Sequence, residues 1–370
     1  MRNNMKKKET KLTHGGDWAG FEIEYGKPPL DYSANVNPLG IPKEVQTAIA
    51  EAAASSDRYP DPLCRELTQK LAEHEGVPQE WIFCGNGAAD IIFRLAQALY
   101  PADARMPGRP RQPKLLVTAP TFSEYETAFV RSGWQVDYYL LEEERGFRIG
   151  ADILDRLVGA NLHEAVFLCE PNNPTGVTTD RQLLQNILDR CRRTGGILVV
   201  DECFNGFLED PAAHSMKSEL GKGLILVKAF TKLYGMAGVR LGYCICADET
   251  IIEKIRQAGP PWNVSNLAQA AGVAALDAKD HVAKGIAIVR EESVWLRQQL
   301  QAMGINAVYG EANYLFFRAV SDLDKRMRKR GILIRSCSNY PGLGKGWFRI
   351  AVRTHEENEQ LIGAMREEVR

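Results

Sequence analysis

With 370 residues, 45% of them hydrophobic and 25% charged, the chain has the composition of a globular enzyme, large enough to divide its core between one big and one smaller domain. Its 46 basic side chains nearly balance 47 acidic ones, and the formal net charge of -1 calls for neither nucleic acid nor an anionic membrane surface. Eight scattered cysteines form no CxxC site, so they predict a reducing, cytoplasmic setting and no metal centre.

In chain order, residues 1–11 carry the basic run Lys6-Lys7-Lys8 with no apolar segment behind it, which predicts a frayed start and neither a signal peptide nor an anchor. THGG at 13–16 sets His14 before two residues that let the backbone turn tightly, and a lone histidine is more commonly a surface residue than a ligand. DYSANVNPLG at 31–40 alternates apolar and polar residues up to Asn37-Pro38, which predicts a short strand, followed by an amphipathic helix over 42–54. RYPDP at 58–62 holds two prolines and reads as a rigid link. Gly85 to Asp90, GNGAAD, opens a helix on small residues. Such a start is either a phosphate cup, where exposed N–H groups and the helix dipole meet an anion, or an ordinary glycine-rich cap. Residues 101–113 are rich in proline and arginine and read as a surface insertion.

From there strands and helices alternate. LLVTAP (115–120), WQVDYYLL (134–141), AVFLCEP (165–171) and GILVVDE (196–202) are strand candidates separated by helical stretches such as 180–194, a rhythm that predicts a largely parallel sheet covered on both faces. In such sheets ligands bind beyond the carboxyl ends of strands. NNPTG at 172–176 follows one of these ends, and Asp201-Glu202 follows another. An aspartate behind the run ILVV is expensive to ionise unless it meets a cation, although an Asp there also serves as a helix cap and NNPTG also makes a good turn. The stretch VKAFTKLYGMAGVRLGY, 227–243, lies between two further apolar runs and brings Lys232 near Arg240. A lysine desolvated beside another cation has a lowered pKa and can attack a carbonyl to form a Schiff base. An arginine a turn away would hold a phosphate, and the two together point to pyridoxal phosphate. Solvated surface charges remain the bland reading of the same pair.

Taken in order, NNPTG, DE at 201–202, TK at 231–232 and GVRLGY at 238–243 resemble the fold type I aminotransferase superfamily of pyridoxal-phosphate enzymes over nearly the whole chain. The resemblance implies an α/β fold, with a large domain built on a mostly parallel seven-stranded sheet (41–260), a smaller α+β C-terminal domain (261–370) and an N-terminal arm (1–40). It implies that Lys232 is the cofactor-bearing lysine, Asp201 the partner of the pyridinium nitrogen, Asn173 the ligand of the phenolic oxygen and Arg240 that of the phosphate. Gly87, Ala88 and Ala89 would form the phosphate cup with Thr231, and Phe122 would stack on the ring. Tyr59 would reach the cofactor of a second subunit, which implies a homodimer with shared sites. Phe204 stands where many members have tyrosine, and Ala229 where a hydroxyl residue often binds phosphate.

Within the superfamily, THGGD, DYSANVNPLG, RYPDP, GNG, DECF and IRSCSNYPGLGKGWFRIAVR are most similar to the branch shared by histidinol-phosphate aminotransferases and threonine-phosphate decarboxylases, and more so to the latter. That likeness implies release of carbon dioxide from L-threonine O-3-phosphate, or from serine phosphate, for the nucleotide loop of cobalamin. Its substrate set would be Arg349 for the carboxylate and His14, Arg335 and Arg353 for the phosphate, with Asn35 beside them. An aminotransferase, or a cofactor-free binding protein on this scaffold, are the alternatives. A nicotinamide dehydrogenase fits poorly, because no GxGxxG follows a first strand.

Overall fold

The computed structural model describes residues 14–105, 111–158 and 162–369; the basic run at 6–8 and part of the 101–113 insertion lie outside them. Twelve strands are described in chain order: β1 (Leu30–Asp31), β2 (Ile82–Gly85), β3 (Lys114–Ala119), β4 (Gln135–Leu140), β5 (Ala165–Cys169), β6 (Ile197–Asp201), β7 (Leu224–Ala229), β8 (Gly242–Cys246), β9 (Tyr314–Arg318), β10 (Ile332–Leu333), β11 (Arg335–Ser336) and β12 (Trp347–Ala351). Seven of them form the central sheet in the order β2-β8-β7-β6-β5-β3-β4, in which β8 alone runs antiparallel to its neighbours. This is the mostly parallel sheet anticipated. β2 was not anticipated, since its four residues, IFCG, are too short to show a period of two.

Residues of the central strands alternate between two cores, as side chains on a pleated strand must. Leu116, Val166, Leu168, Leu198 and Val200 pack against Leu184, Ile187 and Leu188 of the helix Arg181–Thr194. Leu115, Val117, Phe167, Val199 and Ile225 pack on the other face against Ile91, Ile92 and Leu95 of the helix Gly87–Ala98. Being covered on both faces explains why these strands read as unbroken apolar runs. Each side chain fully buried in this way contributes about 1.5–3 kcal/mol.

A third core joins Val289, Leu296 and Leu300 of the helix Lys279–Ala302 to Phe317, Phe348, Ile350 and Leu361. It backs the antiparallel sheet β11-β12-β9. The helix Asn266–Ala275 lies beyond residue 261, yet it buries Ala268, Ala271 and Ala275 in the large core. Phe316, Cys337, Tyr340 and Trp347 join the same core, so it draws on residues from both sides of position 261.

Two expected strands are corrected. DYSANVNPLG keeps only Asp31 in a strand, because Asp31 Oδ1 accepts from Ser33 N (2.7 Å) and Asn37 Oδ1 from Leu39 N (3.0 Å). These local turns take the backbone groups a ladder would need. ILIRS is two strands and not one: β10 pairs with β1, and after Ile334 the chain passes to β12 as β11. Among the described residues no helix is long and apolar enough to cross a membrane.

Candidate active site

The carboxyl ends of β5, β6 and β7 open into a cavity of about 360 Å³. Twelve of the fifteen residues singled out from the sequence line it: His14, Asn35, Ala88, Ala89, Phe122, Asn173, Asp201, Thr231, Lys232, Arg240, Arg335 and Arg349. Gly87 does not line it but begins the helix that carries Ala88 and Ala89. Tyr59 and Arg353 do not line it. Tyr59 is 82% exposed, with its ring tilted against that of Trp262 at 4.8 Å, while Arg353 binds Glu357 (2.6 Å) and the Asp31 carbonyl (3.1 Å). A wider hollow of about 920 Å³ near Lys114 and Ile197 carries none of these groups.

Lys232 sits on the single helical turn Phe230–Leu233 that ends β7. Asn37 holds this turn in place: its N–H donates to the Lys232 carbonyl (2.9 Å) and its amide Nδ2 to that of Leu233 (2.8 Å). Burial, reinforced by the cations Arg349 and Arg240, lowers the Lys232 ammonium to about 8, so a useful share of the amine is neutral near physiological pH. Asp201 closes β6 and is 4% exposed. It accepts from the Tyr125 hydroxyl (2.7 Å) and the Cys203 N–H (2.9 Å), and its burial raises its carboxyl. A cation brought opposite it would lower that cost.

Arg349, in β12, donates Nη1 to Asn173 Oδ1 (2.5 Å) and Nη2 to the Ser33 carbonyl (2.6 Å), and so joins the small sheet to the loop after β5. Among the described residues its Nε finds no hydrogen-bond partner, nor do the amide O and N of Asn35, which is 2% exposed. Unmade bonds of this kind cost about 1–3 kcal/mol each unless a ligand completes them. Arg335, in β11, donates to the Ser336 carbonyl (2.7 Å) and Asn339 Oδ1 (2.9 Å) and lies over Tyr340. His14 Nε2 donates to Glu124 Oε1 (2.6 Å), with its ring 5.8 Å from that of Phe122.

At the start of the helix Gly87–Ala98, Gly87 takes φ 80°. A Cβ there would come within 2.8 Å of Arg240 Nη2, and one on Gly242 within 2.6 Å of the Ala88 nitrogen. Two glycines thus let the arginine and β8 close on a helix start whose N–H groups attract an anion. Arg240 itself holds φ 61°, a strained setting for a side chain of its size. Behind the cavity, Glu75 accepts from Lys228 (3.0 Å), Lys217 (3.3 Å) and the Tyr243 hydroxyl (2.5 Å). Although burial opposes it, these partners pull the Glu75 carboxyl down to about 2. Lys228 also lies 3.7 Å from Glu202, the residue after Asp201.

Sequence reasoning missed Asn37, Tyr125, Glu124 and Ser33. Tyr125 lies three residues after Phe122, the spacing that puts both on one side of a helical turn, and that signal was available. Altogether the cavity offers a nucleophilic amine, a buried carboxylate suited to a cation, an anion seat at a helix start and two further arginines.

The sequence profile of class I and II aminotransferases matches residues 27–365. A threonine-phosphate decarboxylase of Salmonella typhimurium is 36% identical over 360 residues, covering 95% of each chain. A histidinol-phosphate aminotransferase of Symbiobacterium thermophilum is 32% identical over 347 residues, 90% of this chain and 88% of that one. The crystal structure of the histidinol-phosphate aminotransferase from Clostridium acetobutylicum superimposes with a TM-score of 0.82 at 26% identity, over 92% of this chain and 98% of its own.

Proposed function

The chain belongs to the class I and II aminotransferase family, whose cofactor is pyridoxal phosphate, and from that premise we propose that it decarboxylates L-threonine O-3-phosphate to (R)-1-amino-2-propanol O-phosphate. The observation that carries this reading is the pair Arg335 and Arg349, directly opposite each other in β11 and β12 and both lining the cavity. Two cations at one register position suit a substrate with two separate anionic ends, a carboxylate and a phosphate. The 36% relative favours the same substrate, and serine phosphate, one methyl smaller, is its close competitor.

The cavity's own groups match the three polar features of the cofactor. Asp201 would face the ring nitrogen, Asn173 the phenolic oxygen, and Arg240 with the N–H groups of Ala88 and Ala89, and Thr231, the phosphate. Phe122 would cover the ring face. When bound, pyridoxal phosphate supplies a sink for the electron pair left at the substrate Cα. Arg349 grips the carboxylate through the fork that now holds Asn173, and Asn35 offers its unpartnered amide beside it. Arg335 and His14 draw the phosphate the other way. Held at both ends, the substrate presents its Cα–carboxylate bond for cleavage. Lys232, whose ammonium loses its proton near pH 8, moves a proton to Cα at the close of the cycle. Tyr59 stands exposed, as a residue serving a second subunit's site in a homodimer would. A cytoplasmic enzyme acting in cobalamin synthesis is the setting this reading implies.

The 32% relative supports a second reading, amino transfer from histidinol phosphate. Incubating the loaded protein with L-threonine O-3-phosphate, with and without 2-oxoglutarate, separates the two. Carbon dioxide release that needs no oxo acid is the expected result; amino transfer to 2-oxoglutarate without such release would replace the decarboxylase reading.

A further inference from the structure

Residues 14–25 are fastened at both ends, to different parts of the molecule. At one end the helix Trp18–Tyr25 belongs with the small domain. Arg328 lies over the rings of Phe21 and Tyr25, at 5.2 and 5.9 Å, and pairs with Glu24 at 2.8 Å. In the middle, Gly15 packs so closely that a Cβ would lie 2.4 Å from the Ser33 carbonyl oxygen, and Gly16 N donates to Ser33 Oγ (2.7 Å). The same Ser33 carbonyl accepts from Arg349. At the other end, His14 bonds Glu124, the first residue of the large-domain helix Glu124–Arg131.

Glu124 is otherwise out of place. It lines a cavity in which Arg240, Arg335 and Arg349 await anions, and a carboxylate there repels what the arginines attract. Its bond to His14 gives it a purpose. That bond holds the Glu124 carboxyl below its ordinary value, hence ionised and able only to accept, so Nε2 must carry the hydrogen. Nδ1 is then the one ring nitrogen left for a ligand.

We infer that Glu124 is a positioning residue: it clasps His14 through Nε2, ties residues 14–25 down as a strap between the two domains, and leaves Nδ1 to meet the anionic group of the substrate, to which it donates as the second N–H of the imidazolium. The last part rests on the phosphorylated-substrate reading above; the clasp does not.

The test compares the pyridoxal-phosphate-loaded wild type with Glu124→Ala, Glu124→Gln, His14→Ala and the Ala/Ala double variant. Calorimetry measures binding of L-threonine O-3-phosphate and of L-threonine, steady-state rates give KM and kcat, and hydrogen exchange follows the amides of residues 14–25 without ligand. Glu124→Ala should weaken the phosphorylated ligand by about tenfold, mainly in KM, and leave L-threonine within about twofold. Glu124→Gln, whose amide oxygen still accepts from Nε2, should recover most of that loss. The double variant should be no worse than His14→Ala, since Glu124 acts through His14. Amides 14–25 should exchange faster in Glu124→Ala. Unchanged or tighter binding of the phosphorylated ligand in Glu124→Ala, losses that add in the double variant, or unaltered exchange would overturn the inference. If the wild type binds L-threonine O-3-phosphate no better than L-threonine, the phosphorylated-substrate reading fails, and the exchange result alone decides the clasp.

Discussion

Arg335 and Arg349 occupy paired positions across the antiparallel strands β11 and β12, at 9% and 6% exposure. Like charges opposite each other on one face destabilise a sheet, and burial removes most of the water that would screen them. An anion bound between them would relieve that repulsion. Arg349→Lys keeps the charge but loses the fork that meets a carboxylate in two places. It should raise KM for L-threonine O-3-phosphate by roughly 10–100-fold, with a smaller change in kcat, as read from steady-state rates.

Asp201 should matter to the cofactor more than to the substrate. Asp201→Asn removes the charge from a buried site where hydrogen bonds from Tyr125 and Cys203 only partly offset the burial and a cation opposite would offset more of it. Pyridoxal phosphate affinity, followed by its visible absorbance, should fall by roughly 10–100-fold. Tyr125→Phe, which removes only the 2.7 Å bond to Asp201, should cost less than about tenfold.

Lys232 makes the folded apoprotein pay for chemistry at neutral pH. Its ammonium titrates near 8, below its ordinary 10.5, so between these values the unfolded chain binds more protons and stability rises with pH. Lys232→Met should therefore stabilise the apoprotein at pH 7 by about 1–3 kcal/mol, a gain that shrinks as pH rises towards 10. Thermal unfolding of wild type and variant across that range measures it. The same variant should lose the absorbance band of lysine-bound cofactor.

Gly87→Ala forces a side chain into φ 80° and towards Arg240 Nη2. The backbone strain alone costs about 1–2 kcal/mol. Displacement of the arginine should weaken inorganic phosphate and pyridoxal phosphate together, by about tenfold, in equilibrium titrations. Loss of stability with both affinities intact would show that Arg240 does not depend on this glycine.

The catalytic end of the large sheet was legible because its physics is local. ILVV followed by an aspartate, and an apolar run followed by Thr231-Lys232, declare buried strands that end in charged groups, and the structure sets both at one cavity. Two kinds of feature were hidden. Asn37 and Ser33 act through backbone bonds to residues about 200 and 300 positions away, which no local window contains. The split of ILIRS at Ile334 depends on which partners the two halves meet, and β1 and β12 lie far off in sequence. Arg353, a candidate for the substrate phosphate from the sequence, lies outside the cavity, and Glu357, four residues on along the chain, pairs with its guanidinium.

The ion cluster behind the cavity divides the molecule's response to salt. Glu75 and Glu202 are buried and Lys228 is only 18% exposed beneath the sheet end, so salt screens their attraction far less than it screens charges in open solvent. His14 and Arg240 stand at the mouth, in contact with solvent. Added salt will thus loosen the capture of anions while the scaffold carrying Asp201 keeps its shape, and a halide-rich medium will act on this protein as a weak competitive inhibitor rather than as a denaturant.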